Sequence, residues 1–206
     1  MILRFKVQRA RCRVRVHSAA AECGCTAHSH SAPCTLNGNY NARMLALRYV
    51  YILALVVWLG GMVVLGAIVA PATFQVLESI EPVAGRALAG EVFGVTIARF
   101  HYIAYAAGGL MLVTMAAMAL LGPRPAGSAV RGALVACMLS VALYSGLVVL
   151  RQIGAIQQEV GGLPSRLPAG DARRIRFDEL HLLSTRLMLL NIAGALILLY
   201  WEAREK

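Results

Sequence analysis

Charge is scarce in this chain: Asp, Glu, Lys and Arg together make up 15% of 206 residues. Acids are scarcest, ten against twenty basic residues. So little charge cannot clothe a soluble domain when 59% of the residues are hydrophobic and the mean hydropathy is +0.66. Polar and apolar residues do not alternate along the apolar runs, which excludes a membrane β-barrel. No nucleophile-and-base pair, Gly-rich phosphate loop or zinc-protease helix is present, so no enzymatic activity is expected. Beyond residue 43 the only cysteine is Cys137, so no structural disulfide is expected there.

What the chain does have is four long apolar runs, 45–70, 100–121, 129–150 and 180–201. A bilayer crossing takes about 20 mostly apolar residues at 1.5 Å rise each. Only closed backbone hydrogen bonding survives in hydrocarbon, so these runs should be helices. The expected fold is an all-α membrane protein, a four-helix transmembrane bundle in one compact domain, with the lipid bilayer as its main partner. A homo-oligomer or a membrane-protein partner is compatible with it. Nucleic acid is not expected, although the net charge is +10. The excess belongs mostly to residues 1–43, which hold seven of the twenty Lys and Arg and a single acid, Glu22. Arg far outnumbers Lys, and Ala, Gly, Leu and Val are abundant, which hints at a GC-rich bacterial genome and an inner-membrane location.

Residues 1–43 differ from the rest. They carry Cys12, Cys23, Cys25 and Cys34, with His17, His28 and His30. The Cys23-x-Cys25 pair is too tight for structural zinc, which favours two to four residues between paired cysteines. The segment is Arg-rich and acid-poor, as transit peptides are, and it lacks the apolar core of a secretory signal. It is expected to be a disordered or spurious extension, with the domain occupying 44–206 from Met44 and little stable structure before Asn41. Cys137 reads as a small apolar residue of span three.

Four spans place both termini on one side. Cations of the domain divide almost evenly between the two sides, and those of residues 1–43 tip the choice toward cytoplasmic termini. Between spans one and two, Phe74, Leu77 and Ile80 recur at about one helical turn, and Pro82 can open a second helix. One or two amphipathic interfacial helices are expected there, the second running into span two. Gly122-Pro-Arg-Pro-Ala-Gly should be a tight turn. Residues 151–178 should form a longer loop, with Asp171 as a helix cap.

Topology gathers Arg99, His101, Arg151, Asp178, Glu179 and His181 at the end of the bundle away from the termini. They form a polar layer in which the acids can answer the arginines. On span four, His181, Ser184, Met188 and Asn191 form one stripe, which should face the bundle and hydrogen-bond between helices or line a polar path. Arg186 lies inside the hydrocarbon, well away from that stripe. His101 and His181 could ligate haem across spans two and four. Met62, Met111, Met115, Met118, Met138 and Met188 supply soft donors for copper. The metal-ligand candidates are therefore His101, His181 and Met188. Gly60-Gly61, Gly66 and Gly108-Gly109 read as points of close helix packing.

Trp58-Leu-Gly60-Gly61 is followed by Ala70-Pro71-x-x-Phe74, then by Ala84-Gly85, Gly90 and Phe93, and finally by Phe177-Asp-Glu-Leu180-His181-x-x-Ser184. This order and spacing resemble the bacterial domain-of-unknown-function family related to eukaryotic transmembrane protein 205. They are distantly similar to membrane proteins of the copper-resistance D type. The resemblance covers 44–204 and implies a small four-span integral membrane protein with no settled reaction and, for the eukaryotic relatives, a loose association with platinum-drug resistance. It singles out Trp58, Gly61, Pro71, Phe74, Gly85, His181 and Ser184 without giving them roles. The expected function is that of a structural or accessory membrane protein, with no cofactor. The alternatives are a transporter-like or copper- or metal-handling protein, and a haem-binding electron carrier through His101 and His181.

Overall fold

The computed structural model describes residues 35–82, 84–121, 127–161 and 164–204, and of 35–41 and 165 the backbone only. The cysteines and histidines of residues 1–34 lie outside the described residues. Four helical spans run over Ala42–Ile80, Gly85–Leu121, Ser128–Val160 and Ala172–Arg204. Each contains its expected apolar run and extends beyond it. At most 28% of each apolar window is buried. Side chains such as Leu53, Val56, Leu190 and Ile197 face outward, as they must where lipid is the solvent. The chain is a four-helix transmembrane bundle.

Span one is an uninterrupted helix made of α1 (Thr35–Val64), a π turn (Leu65–Val69) and α2 (Ala70–Ile80). Helical backbone thus begins ahead of both Asn41 and Met44. Proline collides with the carbonyl four residues before it in a regular helix, here Ala67, which lies inside the wider π turn. The π turn gives the Pro71 ring room, and Thr73 Oγ1 donates to Val69 O at 2.7 Å beside it. The expected amphipathic segment is present as α2, in continuity with span one.

The chain then reverses over 81–84 into α3 (Gly85–Leu121). Pro82 lies in this turn rather than opening the helix, because Ala87 and Leu88 amides donate to Ala84 O, setting the helix start at Gly85. Gly85 is buried, and a Cβ on it would run into the Leu77 carbonyl. Only glycine lets α2 and α3 approach this closely. Glu78 and Arg86 pair at 3.5 Å across the same hairpin. The second expected interfacial helix is the opening of α3, which continues straight into span two.

Span three consists of α4 (Ser128–Tyr144), a second π turn (Ser145–Val149) and α5 (Leu150–Val160). Gly127 precedes it at φ 90°, while residues 122–126 of the expected tight turn lie outside the described residues. The loop expected over 151–178 is mostly helix. Its first ten residues belong to α5, where Ile153 and Ile156 pack on Leu180 and Phe177. Gly161 ends α5 in the left-handed conformation, φ 64°. A short 3₁₀ turn (Pro164–Arg166) follows.

Span four is α6 (Ala172–Arg204). Asp171 caps it as expected: its Oδ1 accepts from the Arg173 amide at 2.8 Å. The Arg173 side chain also donates to this carboxyl, and these bonds hold it down from 3.8 to about 2.

Apart from the smaller cluster around Ile153 and Leu180, the core is one group of side chains from all four spans. Tyr51, Leu55, Trp58 and Met62 of α1 meet Ala104, Ala107 and Met111 of α3, Val135 and Met138 of α4, and Ala195 and Leu198 of α6. Trp58 is 1% exposed. It fits because α3 presents Gly108, where a Cβ would stand 2.9 Å from the indole. Gly61 likewise receives the Phe100 ring, and Gly194 the Met138 sulfur. Gly60 and Gly109, expected as packing points, meet no atom that a Cβ would touch.

Candidate functional site

The bundle is not packed solid above Trp58. A cavity of about 40 Å³ opens there, lined by Met62, His101, Ser145, Ser184, Met188 and Asn191 among other residues. A water needs roughly 10–15 Å³ by this measure, so the space suits about two or three waters or one ion. All four spans contribute, and both π turns begin at its wall, with Leu65 and Ser145. Single π turns of this kind are frequent at functional sites.

Two polar groups define its chemistry. Asn191 is 4% exposed, and its Oδ1 has no hydrogen-bond partner among the described residues. A buried amide oxygen left so costs about 1–3 kcal/mol. His101 Nδ1 lies 2.8 Å from Ile97 O. A carbonyl only accepts, so Nδ1 carries the hydrogen and the neutral ring keeps its lone pair on Nε2. The ring lies against Gly146, where any Cβ would strike it, and edge-on to Tyr105 at 5.8 Å between centroids.

The stripe expected on span four divides. Ser184, Met188 and Asn191 line the cavity, while His181 is exposed and stacks on Phe177 at 6.1 Å. Ten residues at 100° each put His181 about 80° off the direction of Asn191. Histidine is therefore supplied to the cavity by span two alone. A haem held between His101 and His181 has no room in a space of about 40 Å³.

The polar layer does not close on itself either. Arg99, Arg151, Asp178 and Glu179 are exposed. Glu179 pairs with its helical neighbour Arg176 at 3.3 Å, and among the described residues no ion pair joins Arg99, Arg151 and Asp178. Long charged side chains at span ends turn outward to water instead. Of the residues singled out by resemblance, Trp58 and Ser184 line the cavity. Gly61 and Gly85 are packing points, Phe74 is half-buried on α2, and Pro71 is exposed. Arg186 is exposed on the outer face of α6.

The sequence reading missed a cluster at the opposite end. Glu202 of α6 bonds Arg131 of α4 at 2.9 Å and Arg48 of α1 at 3.0 Å. Arg131 also lies over the Trp201 ring at 5.6 Å. Beside them is a cleft of about 380 Å³, walled by Tyr51, Met115 and Met118 as well. The signal was available, since Arg48, Arg131 and Glu202 all fall at span ends on the terminal side. Here the charged groups satisfy one another and fasten three spans, whereas the smaller cavity presents one buried polar atom, Asn191 Oδ1, without a partner among the described residues.

A model of a family described as a domain of unknown function (DUF4149) matches residues 53–161, just over half of the chain. That segment carries Trp58, Met62, His101, both π turns and Ser145, while Ser184, Met188 and Asn191 lie beyond it. No curated protein and no solved structure matches the chain.

Proposed function

We propose that this chain, which belongs to the DUF4149 family, works by binding rather than by catalysis, as an accessory integral membrane protein whose bundle encloses a small polar pocket. One observation carries the reading. Asn191 Oδ1 is buried and without a partner among the described residues, in the wall of a cavity large enough for a guest. A group serving helix cohesion alone would be spent on a neighbouring helix.

Asn191→Leu tests this directly. If the amide is kept for a guest, the apolar near-isostere relieves its burial and raises stability by about 1–3 kcal/mol. A higher melting temperature in detergent is the expected result. A lower one would mean that Asn191 holds helices together, and the pocket reading would fall.

The resemblance to the relatives of transmembrane protein 205 and the composition support a place in a bacterial inner membrane. The arginines of residues 1–43 support cytoplasmic termini. A reporter fused after Arg204 should then be active only in its cytoplasmic form, and the reverse would invert the topology.

A further inference from the structure

We infer that the cleft between the four spans at the terminal end holds an anionic phospholipid, its phosphodiester on the Arg48 and Arg131 guanidiniums and one acyl chain against Met115 and Met118. The cleft is separate from the pocket above Trp58 and uses none of its groups.

Charge points to the guest. Both guanidiniums reach the same carboxylate: Arg131 Nη1 is 2.9 Å from Glu202 Oε1, and Arg48 Nη2 is 3.0 Å from Oε2. One acid answers one of the two charges, and among the described residues no other charged side chain lines the cleft. The wall therefore keeps one net positive charge. The imbalance extends past the cleft, since the described residues at this end hold Arg43, Arg48, Arg131 and Arg204 against Glu202 alone. Arg131 is drawn inward onto Glu202, its side chain 11% exposed, and does not turn out to water as other span-end arginines do. A surplus charge kept there is costly until an anion meets it. A phosphodiester carries one negative charge, and its oxygens match the planar guanidinium fork.

Position selects a lipid over a dissolved anion. The cleft lies where the apolar runs of all four spans end. Leu45 and Ser128 stand at the starts of two runs, Met118 and Glu202 at the ends of the others. Tyr49 and Tyr200 are exposed at the same level, as interfacial aromatics are beside headgroups. The remaining walls are apolar. Leu45 of α1 is 69% exposed, and Met115 and Met118 of α3 are half-buried, with side chains supple enough to fit around an acyl chain. The volume of about 380 Å³ gives room for a phosphate headgroup and the first carbons of one chain, the rest lying in the bilayer. Basic pockets between spans at the membrane surface take lipid headgroups in this way.

The experiment uses the full chain in a neutral detergent, with three probes added singly. Phosphatidylglycerol has the expected charge and chains. Phosphatidylcholine has the same phosphate and chains but no net charge. Glycerol phosphate has the charge without the chains. Native mass spectrometry counts what each chain retains, and a thermal melt reads the stabilisation. One phosphatidylglycerol per chain is expected, held about 10-fold or more tighter than phosphatidylcholine, with a higher Tm. Arg48→Gln leaves Glu202 paired with Arg131 and should weaken phosphatidylglycerol binding by about 10-fold or more. Arg99→Gln removes the same charge at the opposite end and should leave the preference unchanged. If Arg48→Gln fails to fold, Met118→Glu, which sets an anion in the cleft wall, replaces it with the same loss expected.

Equal retention of the two lipids, an unchanged preference in the cleft variant, or an equal loss in Arg99→Gln would overturn the assignment. Glycerol phosphate bound as tightly as phosphatidylglycerol would overturn it too, since the chain would then contribute nothing.

Discussion

Removing the charge of Glu202 should loosen the terminal end of the bundle and leave the pocket intact. Glu202→Gln keeps the shape but leaves Arg131, whose side chain is 11% exposed, facing a neutral amide. At 2.9 Å the gross attraction is about 5–6 kcal/mol at an effective dielectric of about 20. Desolvation of both groups offsets much of this. Breaking a buried pair from one side costs about 3–5 kcal/mol. Arg131 keeps its place over Trp201, and the Arg48 side chain is 40% exposed, so the lower part of that range applies. We expect a loss of about 3 kcal/mol, or about 6–12 °C in Tm for a chain of this size.

The chain has two tryptophans, Trp58 in the core and Trp201 under Arg131. Unfolding in detergent followed by fluorescence, with and without Trp201→Phe, separates the two regions. The Trp201 signal should change first on heating. Glu179→Gln, at an exposed pair, should cost no more than about 0.5 kcal/mol. A Glu202→Gln loss as small as that of Glu179→Gln would refute the view that the triad fastens the spans.

Two further outcomes follow from local geometry. Gly108→Ala places a methyl 2.9 Å from the Trp58 indole and 3.0 Å from Leu139, which should cost about 1–3 kcal/mol by overpacking; Trp58→Phe in the same chain should recover part of it in a thermal melt. The Asp171 carboxyl, lowered from 3.8 to about 2, favours the folded helix start fully above pH 3.8, and that contribution is lost as the pH falls toward 2. Carboxyl NMR shifts should show this titration, and Arg173→Ala should move it back toward 3.8.

The spans were legible because hydrocarbon imposes about twenty apolar residues on any crossing. Their true lengths were not, because α2 and α5 carry polar residues where they leave the apolar windows. Gln152, Gln157, Gln158 and Glu159 break the apolar run of α5, and only the one-turn spacing of Ile153 and Ile156 records its buried side. The span-four stripe was found with Ser184, Met188 and Asn191 in place. His181 was included by spacing, yet its ring turned to Phe177, a choice that depends on helix rotation rather than on sequence. The Arg48–Glu202–Arg131 pairing is not legible in the sequence, because contacts over such sequence distances appear only once the helices are side by side. The π turns have no signature beyond Pro71, and the second has no proline at all.

Those two π turns carry a further consequence. Leu65 and Ser145 open them, each is followed by glycine, and each leads into an eleven-residue helix, α2 or α5. The two stretches stand eighty residues apart, and the buried positions keep that offset: Tyr51 with Arg131, Leu55 with Val135, Trp58 with Met138, Met62 with Ala142. The packing repeats as well, since α1 against α3 is matched by α4 against α6, and α2 against α3 by α5 against α6. The bundle thus repeats one two-span arrangement under a shift of eighty residues. His101 and His181 are counterparts under that operation, as are Met111 and Asn191. Only one of the paired histidines faces the cavity, and the sulfur of Met62 is answered by the methyl of Ala142. The pocket lies where the two halves have ceased to be alike.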